Sequence, residues 1–475
     1  MNGRAVEDRL GAQDVSSTLI EKAAVNRFQD YLPALKTALG KLDAWREAYG
    51  PTAEDDNPVP HYAPERIEEV LLKLEQRLEE NYPFHHPEYA GQMLKPPHPA
   101  AWLAYTLAMT INPNNHSMDG GPPTSRMEKA VIKKLAAMVG YDETSLGHLT
   151  SGGTIANLEA LFVARELHPG KAIAASANAH FTHQRMCRVL NAEFIAIPVN
   201  AEGVPDPEFI EHNADRIGTV VVTLGTTGLG VVEPLADILD ITRRHGIRVH
   251  ADAAYGGFFT LIKDSLPSRQ HWQAIHDADS IVIDPHKHGL QPYGCGSVLY
   301  KDASVARFFQ HDSPYTYFTS DDIHLGEISL ECSRAGASAA ALWTTLELLP
   351  LEPSGLGTVL TSARNAAMKF AARLRDSAAW ELYSDPDLDI VGYFRSPESK
   401  KLTDLNRANN AIFQQGMKNR DDPFYLSLYK IEADQFLKRF PGFEANADRA
   451  VILRSVFMKE EHERFVETLA GRLGI

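Results

Sequence analysis

The sequence predicts an α/β fold with a mainly parallel central sheet, a helical N-terminal segment and a small α+β C-terminal domain. Three observations predict it. Through the middle of the chain, short β-branched runs alternate with amphipathic helical stretches, the pattern of βαβ units. The runs 219–224 (TVVVTL) and 280–283 (SIVI) are apolar without alternation, as expected of strands covered on both faces. After about residue 350 a Ser/Pro/Gly connector leads into mixed short segments and a final helix. The 475 residues suffice for two to four units at roughly 150 residues each. The expected division is 1–105 (helical), 106–350 (large, ligand-binding) and 351–475 (small).

The elements follow in chain order. Between the Pro-rich connectors YGPTAEDDNPVPHYAP and HHPEYAGQMLKPPHP, Ile67, Val70, Leu71, Leu74 and Leu78 recur at three- and four-residue spacing, which predicts an amphipathic helix over 64–81. Ser125 and Glu128 read as a capping box, followed by apolar Val131, Leu135 and Met138 and closed by Gly140. SGGT at 151–154 leads into a helix with Ile155, Leu158 and Phe162 on one face and Thr154 available as its cap. Pro234 opens a helix with Leu235, Ile238, Leu239 and Ile241 on one side, and Gly246 stands where its left-handed terminator belongs. Strands are expected at 219–224, 247–251 and 280–283, and the last helix at 462–473.

Composition narrows the function. The formal charge is −15, with 44% hydrophobic and 23% charged residues, so the chain is globular and lacks the basic footprint of a nucleic-acid binder. The apolar stretch 100–111 is shorter than the roughly 20 residues that span a bilayer, so no membrane association is expected. Cys187, Cys295 and Cys332 are few and scattered, which argues for a reducing compartment. The polar start MNGRAVEDRLGAQD is unlike a signal peptide, and the expectation is a soluble cytoplasmic protein.

Three stretches carry chemistry, each at the expected carboxyl end of a strand, where parallel sheets bind ligands. Gly152, Gly153 and Thr154 precede a helix, whose free N–H groups suit a phosphate; alone, the stretch also reads as an ordinary capped helix. Asp252, in HADAAYGG, could hold a proton on a ring nitrogen, or simply cap a helix. Lys287, in DPHKH, is flanked by His286 and His288. Partial burial and these neighbours would depress its pKa and make it a nucleophile toward a carbonyl. The two histidines could instead bind zinc, but no third ligand is evident nearby, and no metal is expected. A phosphate loop, an acid and a lysine in this order are what pyridoxal phosphate needs.

With these residues in place, the chain resembles the group II pyridoxal-phosphate-dependent amino acid decarboxylases, which have the aspartate-aminotransferase type fold. The matching segments are HHPEYAGQM (85–93), NPNNHSMDGGPPTSRMEK (112–129), SGGTIANLEAL (151–161), SANAH (176–180), TLGTTG (223–228), HADAAYGG (250–257), DPHKH (284–288) and CSRAGASAAALW (332–343). The wording is most similar to bacterial tyrosine and aromatic amino acid decarboxylases. The resemblance implies that Lys287 holds the cofactor as a Schiff base, Asp252 pairs with its ring nitrogen, and His180 and Ala254 cover its two faces. Gly152, Gly153 and Thr154 would cradle the phosphate, Thr227 would lie near the ring, and His286 would reach the phosphate. Ser333 and Arg334 would reach the neighbouring subunit, which implies a homodimer with active sites at the interface and an N-terminal segment that embraces the partner.

The resemblance also implies decarboxylation, in which an acid protonates Cα. Tyr293, in HGLQPYGCG, is favoured as that acid over Tyr315 and Tyr317 in SPYTY, where relatives carry a mobile catalytic loop. The expected substrate is tyrosine or another aromatic amino acid. Glutamate or aspartate is the alternative, as is the decarboxylation-dependent aldehyde synthesis of some relatives. His86 is a candidate substrate neighbour and Arg454, in AVILRSV, a candidate carboxylate anchor. A non-catalytic scaffold of this family would lack Lys287, Asp252 or His180, and all three are present. Cys295 and Cys332 fall inside these motifs and are expected to pack near the cofactor.

Overall fold

The computed structural model describes residues 28–50, 62–310, 324–419 and 421–475. Two compact units are distinguished, Met1–Asn57 and Pro58–Ile475. The first carries a 20-residue helix, Phe28–Glu47.

The second unit is built on two sheets. Seven strands form the larger: β1 (Leu146–Thr150), β2 (Ala172–Ser176), β3 (Phe194–Ile197), β4 (Ile217–Thr223), β5 (Arg248–Asp252), β6 (Ser280–Ile283) and β7 (Gly296–Tyr300). Their order is β1-β7-β6-β5-β4-β2-β3. The β3-β2-β4-β5-β6 block is parallel, and β7 runs antiparallel between β6 and β1. Every residue of the parallel strands β2, β4, β5 and β6 is buried, as covered parallel strands require, and so is every residue of the antiparallel β7. The strand expected at 247–251 runs one residue further, so Asp252 is its last member.

The helix Leu235–His245 buries Leu235, Ile238 and Leu239, and Gly246 ends it at φ 65° in the left-handed region. The helix after the Gly pair, Gly153–Leu167, turns a different face inward from the one expected. Ala156, Ala160, Leu161, Val163 and Ala164 are buried, while Ile155, Leu158 and Phe162 are half-exposed. The capping box at Ser125 is not formed. The helix begins earlier, as Pro122–Val139 with Gly121 as N-cap, because a proline needs no N–H partner in the first turn and presets the helical φ. Ser125 and Glu128 are therefore buried within the helix. Ser125 Oγ donates to Ser117 O at 3.1 Å, and Glu128 accepts from Leu149 N at 3.0 Å and Asn115 Nδ2 at 2.7 Å.

Four antiparallel strands form the smaller sheet: β8 (Trp380–Leu382), β9 (Ile390–Arg395), β10 (Ser427–Glu432) and β11 (Arg449–Val456), in the order β10-β11-β9-β8. One core cluster contains Phe370, Leu374, Trp380, Tyr393 and Phe457; another contains Tyr383, Phe394, Phe436 and Phe443. The helix Gly357–Arg375 places Val359 and Leu360 in the large sheet's core and Phe370 and Leu374 in the small sheet's, so it fixes one sheet against the other. Segment 89–95 is tied to the end of β11 by cations. Lys459 Nζ donates to Tyr89 O at 2.5 Å, Lys95 Nζ to Met458 O at 3.1 Å and Arg454 Nη1 to Gly91 O at 3.0 Å. Burial brings the Lys459 ammonium down to about 7. Among the described residues no helix is long and apolar enough to cross a membrane.

Phe436 is fully buried, with the rings of Tyr383, Phe394, Phe440 and Phe443 around it. Phe436→Ala is expected to lower the unfolding free energy by about 3–5 kcal/mol through lost contacts and a residual cavity, read from the chemical-denaturation midpoint.

Candidate active site

The parallel strands end at a cavity of about 340 Å³ lined by residues from five strand ends, a size suited to a small ligand. Ser151, Gly152, Gly153, Thr154, His180, Thr227, Asp252, Ala254, His286 and Lys287 all face it. Residues widely separated in sequence thus meet because β1, β2, β4, β5 and β6 present their carboxyl ends together.

The Gly pair has a geometric reason. Gly152 sits at φ 153° as N-cap of the helix Gly153–Leu167, and no side chain caps that helix. A Cβ on Gly153 would come within 2.6 Å of Asp284 Oδ2, and one on Gly296 within 2.6 Å of the Gly152 backbone. Thr154 is not the cap; it lies inside the first turn and is exposed. The first helical amides are left for an anion.

Asp252 lies at the cavity floor, 5% exposed. Burial alone would push its carboxyl up. A 2.8 Å hydrogen bond from His183 Nε2 and the charges of His183 and Lys287 outweigh that and hold it well below the usual carboxylate range. Its Oδ1 accepts from Ala254 N at 3.1 Å. Glu233, fully buried nearby, shows the opposite response. Burial, with Asp252 as a further cause, pushes it up to about 8, although Thr223 N donates to it at 2.6 Å. Behind Asp252, burial brings His250 down to about 3. Its Nε2 donates to Asn157 Oδ1 at 2.9 Å, while Asn157 Nδ2 donates to Gly153 O at 2.8 Å.

Lys287 Nζ is 3.1 Å from Asp284 Oδ2, and His286 Nε2 is 3.5 Å from the same oxygen. The lysine's close partner is thus a carboxylate rather than the flanking histidine pair. His288 turns away, with Nε2 3.2 Å from Asp389 Oδ2 and its ring against Tyr255 and Phe259. The two histidines therefore do not converge on a common metal. His180 Nδ1 accepts from Thr182 N at 3.3 Å and lies 2.7 Å from Thr182 Oγ1, which leaves Nε2 to carry the ring proton; burial lowers its pKa.

Other sequence expectations fall elsewhere. Tyr293 does not line the cavity; its ring lies against His286 (centroids 4.8 Å apart) and its hydroxyl donates to Met93 O at 3.0 Å. Tyr315 and Tyr317 lie outside the described residues. His86 sits away from the site, between Glu88 and Phe465, because the 85–93 stretch runs along the small sheet. His98, overlooked in the sequence, instead caps the helix Pro99–Met109 and donates its backbone N–H to Leu290 O at 2.8 Å, three residues past Lys287. Ser333 accepts from Asn114 Nδ2 and is exposed; Arg334 donates to Leu149 O and lies 3.5 Å from Glu128. Cys295 is buried but Cys332 is exposed, and neither lines the cavity. Asp284, Asn157 and His183 were also missed. Only Asp284 left a signal, as a carboxylate three residues before the lysine.

A second cavity of about 790 Å³ shares His180 and Thr227 with the first. Phe181, Val199, Leu428, Tyr429 and Ile431 line it, with Arg454. Arg454 is 6% exposed and donates only to the carbonyls of Gly228, Gly91 and Thr227 and to Ser427 Oγ.

The residues present fit pyridoxal phosphate. An uncapped helix N-terminus with a glycine cradle would hold the phosphate, a buried carboxylate would pair with the ring nitrogen, and an amine would meet the aldehyde.

The Glu233 carboxyl gives a pH prediction. Its folded pKa is raised from the ordinary 4.5 to about 8, so its stabilising share is full below 4.5 and is lost as pH rises toward 8. Glu233→Gln is expected to shrink the fall in Tm between about pH 5 and pH 8 relative to the parent chain, measured by scanning calorimetry at both values.

The family model of the pyridoxal-dependent decarboxylase conserved domain matches residues 53–395. The chain is 28% identical over 506 aligned positions to an L-tyrosine decarboxylase of Enterococcus faecium, covering 80% of this chain and 82% of that protein. It is 28% identical over 350 positions to an L-aspartate decarboxylase of Thermococcus kodakarensis, covering 72% and 86%. A crystal structure of Oryza sativa TDC with PLP and tryptamine shares the fold, with a TM-score of 0.75 at 18% identity over 95% of this chain and 99% of that one. The strand-end site and the match over 53–395 together place the chain in the pyridoxal-dependent decarboxylase family, as a pyridoxal-phosphate-dependent amino acid decarboxylase.

Proposed function

We propose that the substrate is an aromatic L-amino acid, tyrosine foremost, converted to its amine and carbon dioxide. The observation that carries this reading is the 790 Å³ cavity that opens beside the cofactor cavity at His180 and Thr227. Its walls of Phe181, Val199, Leu428 and Ile431 suit an aromatic ring, and the Tyr429 hydroxyl adds a polar end. The similarity to a tyrosine decarboxylase agrees with it.

When bound, pyridoxal phosphate supplies the electron sink that takes the pair left as carbon dioxide departs. The chain's own groups do the rest. The first amides of the helix Gly153–Leu167 hold the phosphate. Ionised Asp252 would keep a proton on the ring nitrogen, and His180 and Ala254, which line the same cavity, would pack against the ring. Asp284 Oδ2, 3.1 Å away, holds the Lys287 amine in place at the cavity. Arg454 orients a substrate carboxylate from the adjoining cavity. Of the three candidate tyrosines for Cα protonation, the favoured Tyr293 lies against the His286 ring, outside the cavity lining.

An acidic side chain is the second reading. Arg454 is a buried guanidinium in that same cavity with no carboxylate partner among the described residues, and an aspartate decarboxylase is among the similar proteins. The assembly is proposed as a homodimer. The helix Pro64–Leu78 buries no residue and leaves Ile67, Val70, Leu71, Leu74 and Leu78 about half exposed, a stripe that a second copy would cover.

The test is a panel of twenty amino acids with carbon dioxide and amine detection. Tyrosine or another aromatic amino acid is expected to have the highest kcat/KM. Preference for aspartate or glutamate selects the second reading, and aldehyde, ammonia and hydrogen peroxide in place of amine would contradict decarboxylation to an amine. Lys287→Ala is expected to lose at least about 10³-fold in kcat, in line with removal of a covalent catalytic group. Tyr→Phe at 293, 315 and 317 sorts the proton donors, since only the true donor's loss diverts turnover toward cofactor inactivation.

A further inference from the structure

The short helix Thr182–Val189 delivers two imidazoles to one site. His180, just before it, faces both cavities. His183, in its first turn, is fully buried and points at Asp252 from the interior side. Its Nε2 lies 2.8 Å from Asp252 Oδ2, while Oδ1 is held by Ala254 N. The His183 Nδ1 is buried and has no hydrogen-bond partner among the described residues. An apolar side chain would pack there without that orphaned atom, so the imidazole is retained at a cost. The surrounding polar groups cannot take its place. His250, whose ring is 6.5 Å away edge-on, is engaged by Ser280 Oγ and Asn157 Oδ1, and Glu233 is engaged by Thr223 N.

We propose that His183 is a positioning residue that keeps Asp252 ionised and aims its free lone pair at the cofactor's ring nitrogen. This rests on the reading of Asp252 as the partner of that nitrogen. A carboxyl so deeply buried would otherwise favour its neutral form, which cannot stabilise a protonated ring. One charge-assisted hydrogen bond from behind fixes both the charge and the direction of the carboxylate. Nothing in SANAHFTH marks His183 for this role, since only the fold brings residues 183 and 252 together.

The experiment compares the holoenzyme with His183→Leu, His183→Gln and Asp252→Asn. Three quantities are read: the dissociation constant of pyridoxal phosphate from titration of the apo protein, the absorbance spectrum of the bound cofactor against pH, and kcat and KM separately. His183→Leu is expected to weaken cofactor binding and lower kcat by roughly ten- to a hundredfold, with KM little changed and the spectral transition moved to lower pH. His183→Gln, which keeps an N–H donor, is expected to recover most of the loss. In an Asp252→Asn background, His183→Leu is expected to add nothing. If His183→Leu fails to fold, His183→Asn, whose amide stops short of Asp252, replaces it. A His183→Leu protein that loses only thermal stability, with spectrum, affinity and kcat intact, overturns the proposal. If Asp252→Asn is equally silent, the reading of Asp252 itself has failed.

Discussion

A carboxylate placed at the end of a covered parallel strand is expensive to keep charged, and Asp252 is kept charged. It is 5% exposed, and the hydrogen bond from His183, together with the lysine across the cavity, holds it in its ionised form. Much of the site is arranged about that carboxylate. Glu233 takes the opposite protonation state within the same interior, and burial suppresses the charge of His250, so neither adds charge beside Asp252. Two carboxyl groups with pKa values pushed apart by their surroundings are a recurring way to assign distinct roles to similar side chains.

The same arrangement links the two ends of the cofactor site. Asn157 bridges the carbonyl of Gly153, at the phosphate cradle, to His250, which packs edge-on against His183 behind Asp252. The distance between the N-terminus of the helix Gly153–Leu167 and Asp252 is therefore set by that helix and β5 and not by a loop. Arg454, reaching from β11 to the carbonyls of Thr227 and Gly228, ties the small sheet to the wall shared by both cavities. Movement of the small sheet would be felt at that wall.

Much of the fold was legible in the sequence because covered parallel strands and amphipathic helices write strong periodic signals. β6 and the helix His462–Leu473 fall on the expected residues, and β4 and β5 shift by one or two. The helix at Pro122 was misread because a capping-box pattern inside it outweighed the proline pair before it. At the site, Gly152, Gly153, His180, Asp252 and Lys287 were legible because each lies within a short motif. His183, Asn157 and the Asp284 contact were not, since they depend on pairings across 69 and 93 positions, or on which side of the lysine a side chain turns. His86 lies away from this cavity for a related reason. The stretch that holds it also contains a second His-Pro pair at His98, and only the fold shows which one approaches the lysine's loop.

We propose that the buried, ionised Asp252 faces the cofactor's ring nitrogen while the helix at Gly153 holds its phosphate. A crystal structure of the chain with pyridoxal phosphate tests it most directly. The predicted result is the ring nitrogen within about 3 Å of an Asp252 oxygen, the phosphate on the amides of Gly153 and Thr154, and the cofactor's aldehyde carbon joined to Lys287 Nζ. A cofactor with its ring nitrogen turned from Asp252, or with its phosphate in the cavity at Tyr429 and Arg454, would contradict it.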